Sequence, residues 1–167
     1  MSLKRYCVLA MMLSIAIVLS ILESFIPVFI PGVKLGLANV IILILLYEFS
    51  AKEAFLVNIL RILLVGILRS TLLTPTFLMS LSGGMLSFVV MLLFSKIKFF
   101  SIIGVSVIGA FTHSLGQVVA AIIIMSLSAV IYYLPFIGIL SVITGVFTGI
   151  ITKSYLDRSI TKRFIGD

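Results

Sequence analysis

In a chain of 167 residues, 62% hydrophobic and 10% charged, a mean hydropathy of +1.42 means more apolar surface than a soluble core can use. The formal charge of +7 would suit nucleic acid, but the basic residues stand mainly at span ends, the pattern of a membrane protein against anionic lipid. A single cysteine, Cys7, excludes an internal disulfide and any cysteine-based metal site.

A helix crosses the hydrocarbon core in about 20 residues, and on that ruler the chain reads as one bundle of six spans with no second domain. Lys4-Arg5 and the apolar run behind it imitate a secretory signal. Without a small-x-small cleavage site, and with further spans to follow, it is expected to be a retained first helix over about 6–26. Two prolines and a glycine interrupt the segment from Pro27 to Lys34, so it cannot be regular helix. It is expected on or folded into the outer face of the bundle, where protein or water can satisfy its backbone. A short second span follows over about 35–49, and a third over about 52–69. Pro75 separates the third from a fourth over 76–95. The fifth covers about 101–128 and the sixth about 135–155.

Charge distribution orients this bundle. With both termini inside, the inner segments hold Lys4, Arg5, Lys52, Lys96, Lys98, Lys153, Arg158, Lys162 and Arg163. The outer ends hold Lys34 and Arg69, and Arg61 lies within a span, which accounts for all 12 basic residues. The positive-inside rule therefore predicts an all-α membrane bundle with both termini cytoplasmic, and a bacterial plasma membrane is the expected location.

Small residues recur at helix-contact spacing. Ser141, Gly145 and Gly149 lie four apart on the sixth span, and Ser80 with Gly84 on the fourth. On the first, Ala10 pairs with Ser14, and Ala16, Ser20 and Ser24 form another series. Such rows let membrane helices approach closely, within the bundle or, on the first span, against another subunit.

Polar residues inside apolar runs carry a cost that calls for a partner, a cavity or a function. Arg61 is mid-span, with Asn58 and Arg69 on roughly the same helical side. Lys34 and Arg69 at the outer surface could form a positive funnel toward Arg61, whose guanidinium fork suits carboxylate or phosphate. The structural alternative is that Arg61 pairs with Glu23 and locks two helices, while Arg69 and Lys34 snorkel to the headgroups. His113 and Gln117, four apart on one face near mid-bilayer, could line a ligand or be hydrogen-bonded structural residues. No metal site is expected, since no second histidine or cysteine can complete one.

Several chemistries are missing. There is no phosphate loop of the Gly-x-x-x-x-Gly-Lys-[Ser/Thr] type. The aspartates are Asp157 and Asp167, both in the C-terminal tail, so neither an aspartate-rich magnesium diphosphate site nor a Ser/His/Asp triad can form in the bundle. No catalysis and no cofactor are expected.

The block Pro31-Gly32-Val33-Lys34-Leu35-Gly36-Leu37-Ala38-Asn39, followed by Gly109 to Gln117, resembles the membrane family called Gx transporter or "heptaprenyl diphosphate synthase component I". That family is similar in turn to the substrate-binding S components of energy-coupling factor (ECF) transporters. The resemblance covers nearly the whole chain. It implies a small bundle that captures a scarce substrate from outside and joins a transmembrane coupling subunit driven by two cytosolic ATPases. It also implies that the Pro27–Lys34 loop gates an outer pocket, with Lys34 and Asn39 close to the ligand. Arg61, Arg69, His113 and Gln117 would line or support that pocket, and Ala10 and Ser14 would meet the coupling subunit. S components commonly use paired alanines there, and this chain departs from that with Ser14. The synthase label conflicts with the residues, since prenyl-chain elongation needs carboxylates to hold magnesium diphosphate and this chain has none suitably placed.

Three functions follow as expectations. The first is an S component without its own energy source, taking a small anionic or amphipathic substrate such as an isoprenoid or quinone precursor. The second is a non-catalytic membrane scaffold for prenyl diphosphate or quinone synthesis. The third is a self-sufficient proton-coupled carrier using Glu23 and His113.

Overall fold

Local chemistry sets most helix boundaries. In this computed structural model, which describes residues 3–25, 34, 36–126 and 128–158, Ser50 caps helix α3 (Ala51–Leu68). Its hydroxyl accepts the Glu53 backbone N–H at 3.3 Å and donates to the Glu53 carboxylate at 2.7 Å, a reciprocal pairing of the capping-box kind. Ser101 caps α5 (Ile102–Met125) through the Gly104 N–H at 3.1 Å. Pro75 opens α4 (Pro75–Ser95), a position where its missing N–H is harmless. The remaining helices are α1 (Leu3–Glu23), α2 (Asn39–Glu48) and α6 (Leu134–Arg158), the last preceded by a 3-10 turn over Ser128–Tyr133. Among the described residues there is no strand.

By length and composition, α1, α4, α5 and the stretch Val130–Arg158 can each cross a membrane. Helix α3 has nearly the length but carries Lys52, Glu53 and Arg61. Helix α2 is the departure from expectation. Its 10 residues reach only about 15 Å, half a hydrocarbon core. The expected span over 35–49 is thus a non-helical approach through Lys34 and Gly36, a turn at Leu37 and Ala38, and then half a helix. Every residue from Asn39 to Leu45 is buried, which explains why α2 is apolar all round.

Successive helices alternate in direction. One apolar cluster gathers Val8 and Met12 near the start of α1, Leu45 late in α2 and Val57 early in α3. Met91 late in α4, Val105 early in α5 and Tyr155 late in α6 complete it. A second cluster joins the opposite ends of α4, α5 and α6 through Met79, Val118 and Ile137. Arg5 and Glu53 reinforce the first end with a two-pronged ion pair, both contacts at 2.8 Å, and Arg5 also lies 5.2 Å from the Phe49 ring.

The glycine and serine rows pack inside the bundle. A Cβ on Gly116 would lie 2.9 Å from the Gly83 Cα, so α4 and α5 touch backbone to backbone. Gly145 and Gly149 bring α6 equally close to Val107 and Ile103 of α5. Paired hydroxyls stitch the same seam, Ser114 to Ser141 at 2.6 Å and Ser106 to Thr148 at 2.8 Å. On α1 the two series part. Ala16 and Ser20 are buried, whereas Ala10 and Ser14 face outward with Met11, Ile15 and Val18. The Ser14 hydroxyl is satisfied by the Ala10 carbonyl at 2.9 Å, so that face needs no polar partner.

Candidate functional site

The first N–H groups of α2, those of Asn39, Val40 and Ile41, meet the Gly36, Leu37 and Ala38 carbonyls, but the buried turn ahead of them still needs an acceptor for its own N–H groups. Glu23, the last residue of α1 and 2% exposed, supplies the acceptor. Its Oε1 takes the N–H groups of both Gly36 and Leu37, the latter at 3.1 Å. A carboxylate at a helix N-terminus is also favoured by the helix dipole. Gly36 has φ +85°, a conformation that side chains rarely adopt, and a Cβ there would approach the Asn39 amide at 3.0 Å. The bend that turns Lys34 into the interior therefore depends on this glycine.

Arg61 sits across from Glu23 on α3, 4% exposed. Its Nη2 donates to Asn58 Oδ1 at 2.7 Å and its Nη1 to Ser20 Oγ at 3.4 Å, while Nε has no partner among the described residues. Asn58 in turn donates to the Gly84 carbonyl of α4 at 3.1 Å. The expected alternative of a direct Glu23–Arg61 pair is not what the geometry gives. Among the described residues the ion pair within bonding distance is Arg5–Glu53, and Glu23 is committed to the α2 backbone. Asn58 and Ser20 hold the guanidinium; Glu23 shares its cavity.

On α5, His113 and Gln117 do share a face, and they form a chain with a defined sense. The Lys34 backbone N–H can only donate, and it meets Gln117 Oε1 at 2.7 Å. The Gln117 amide nitrogen therefore points at His113 Nε2, 2.8 Å away, and donates to it. That leaves the histidine proton on Nδ1, which is buried and has no partner among the described residues.

These groups converge on one cavity. It is lined by Glu23 and Ser20 of α1, Lys34, Arg61 and Arg69, Thr76 and Ser80 of α4, and His113. Ile62, Val65, Gly66 and Phe77 form an apolar wall beside them. The enclosed room is about 20 Å³, enough for a water molecule, so a larger guest requires the lining side chains to move apart. Lys34 is buried and Arg69 exposed.

Of the residues singled out in the sequence, Lys34, Arg61, Arg69, His113 and Glu23 thus come together on the cavity. Asn58 and Gln117 stand behind it, holding Arg61 and His113. Asn39 does not join it; its amide donates to Ser87 Oγ at 3.0 Å, and Ser87 donates to the Gly109 carbonyl at 2.8 Å, tying α2 to α4 and α5. Ala10 and Ser14 lie on the far, outward face. The Pro27–Lys34 gate falls outside the described residues except for Lys34. The lining hydroxyls of Ser20, Thr71, Thr76 and Ser80 and the Arg5–Glu53 clamp were missed. The clamp had a readable signal in Ser50-x-x-Glu53, and Ala16, Ser20 and Glu23 share one face of α1.

A family model described as heptaprenyl diphosphate synthase component I matches residues 12–155, most of the chain. No curated protein and no solved structure matches. The chain belongs to the heptaprenyl diphosphate synthase component I family.

Proposed function

We propose that this member of the heptaprenyl diphosphate synthase component I family is the substrate-binding membrane subunit of an ECF-type importer, without its own catalytic or ATP-hydrolysing activity. It takes a small anionic substrate from outside, works with a transmembrane coupling subunit and two cytosolic ATPases, and lies in the plasma membrane as six crossings with both termini cytoplasmic. In that arrangement α2 and its irregular approach make one crossing together, as broken helices do in transporters.

The observation that carries the reading is the convergence of Lys34, Arg61, Arg69 and His113 on one cavity that has a single carboxylate. Two of its donors, Arg61 Nε and His113 Nδ1, are buried without a partner among the described residues. Unpartnered donors in an apolar bundle are costly unless a ligand or water completes them. The alternating helix directions place the cavity at the end opposite the Arg5–Glu53 clamp. By the basic-residue count, that end is the outer one.

Gentle purification from the native membrane, followed by mass spectrometry of retained proteins and small molecules, tests this. A coupling subunit with two ATPases and a bound anion is the expected result. Recovery of a prenyl synthase with no ATPase would replace it with the scaffold reading. Unchanged cellular uptake of the retained molecule after Arg61→Gln would remove the cavity from the mechanism.

A further inference from the structure

Charge and wall chemistry at the cavity narrow the kind of anion it takes. Three cationic side chains line it, Lys34, Arg61 and Arg69, against one carboxylate, Glu23. Counting Glu23 as ionised, the sum is 3 − 1 = +2. Glu23 accepts the Gly36 and Leu37 N–H groups of the turn ahead of α2, so its carboxylate is already committed to backbone. None of the three cations has a carboxylate within ion-pair distance among the described residues.

Resting on the proposal that this cavity binds an anion, we infer that its ligand is a phosphate ester with a hydrocarbon body, rather than a carboxylate or a polar metabolite. A carboxylate brings one negative charge and would leave about +1 beside partly buried cations. A phosphate monoester brings about −1.5 to −2 at neutral pH, which comes closest to cancelling the sum. Its three acceptor oxygens also match donors that arrive from separate directions. Arg61 comes from α3, His113 Nδ1–H from α5 and the Lys34 ammonium from the approach to α2. The body of the ligand meets a different surface. Ile62, Val65 and Phe77 form an apolar wall beside the hydroxyls of Ser20, Thr71, Thr76 and Ser80, and along that wall a sugar or peptide body would lose its water without a hydrogen bond in return. Hydrocarbon would not.

The test compares butyl phosphate with pentanoate, probes of similar length that differ in head charge. The native full chain is used in nanodiscs of zwitterionic lipid, with affinity read by calorimetry. At pH 7.5, butyl phosphate should bind at least about tenfold tighter, as expected of an added charge facing partly buried cations. The advantage should shrink at pH 5.5, below the second phosphate pKa of about 6. Glycerol phosphate, equally charged but with a polar body, should bind more weakly than butyl phosphate. Equal affinity for butyl phosphate and pentanoate, or a preference that ignores pH, would overturn the phosphate assignment and leave anion binding intact. Stronger binding of glycerol phosphate would overturn the hydrocarbon body. Absence of binding by all three to folded protein would overturn the anion site itself. None of these readings depends on a variant that must fold.

Discussion

Gln117→Leu tests how the cavity is built. Gln117 is wholly buried and serves two elements at once, accepting from the Lys34 N–H at 2.7 Å and donating to His113 Nε2 at 2.8 Å. Leucine has nearly the same volume, so the change leaves little void and removes only polar pairing. Two buried groups, the Lys34 N–H and His113 Nε2, then lack partners at about 1–3 kcal/mol each, or about 2–6 kcal/mol together. Unfolding of the detergent-solubilised protein measures that loss. The same bond chain makes a prediction that needs no variant. His113 is the single histidine, so nitrogen NMR of histidine-labelled protein reports one ring. It should show the Nδ1–H tautomer, with Nε2 as the acceptor. In Gln117→Leu that preference should relax. A native Nε2–H tautomer, or a stability loss under about 1 kcal/mol, would refute the Lys34–Gln117–His113 chain and with it the free Nδ1 donor at the cavity.

Three further outcomes are expected. Lys34→Met should weaken anion binding at least about tenfold in a binding titration, because it removes one of the three cations that line the cavity. Asn58→Ala should weaken anion binding by about tenfold and stability by about 1.5–3 kcal/mol, because Arg61 loses its 2.7 Å acceptor. Asn58→Asp should keep that bond yet still weaken anion binding, since it adds a competing carboxylate, and calorimetry beside thermal unfolding separates the two effects. Gly116→Val should cost about 1–3 kcal/mol in unfolding measurements, as its Cβ would meet backbone 2.9 Å away, whereas Gly104→Ala, whose nearest neighbour is 3.5 Å away, should be neutral.

Much of the bundle was legible because membranes impose simple rules on sequence. Apolar length marks a crossing, small residues four apart mark a helix seam, and a charge inside an apolar run marks a partner or a site. Gly145 and Gly149 against α5, and the convergence of Arg61, His113 and Lys34, follow those rules. The short α2 did not show, because the apolar stretch 35–49 reads the same whether its first turns are helical or not. What decides is a remote acceptor, the Glu23 carboxylate, together with the left-handed bend at Gly36.

Asn58, Asn39 and Gln117 show the same limit on a smaller scale. Sequence marks each as a buried amide with a partner to find, but a helix face does not say which atom meets it. Asn58 turns to Arg61 and Gly84, Asn39 to Ser87, and Gln117 to His113 and the Lys34 backbone. Composition and span-end charge by themselves determined that this is an apolar helical bundle with a cationic interior, because lipid leaves few other ways to bury such a chain. Only the tertiary structure decided that Glu23 serves α2 and leaves Arg61 to Asn58 and Ser20. Asn58 is a neighbour on α3, but Ser20 and Glu23 come from α1, and hydrogen-bond geometry chooses among them.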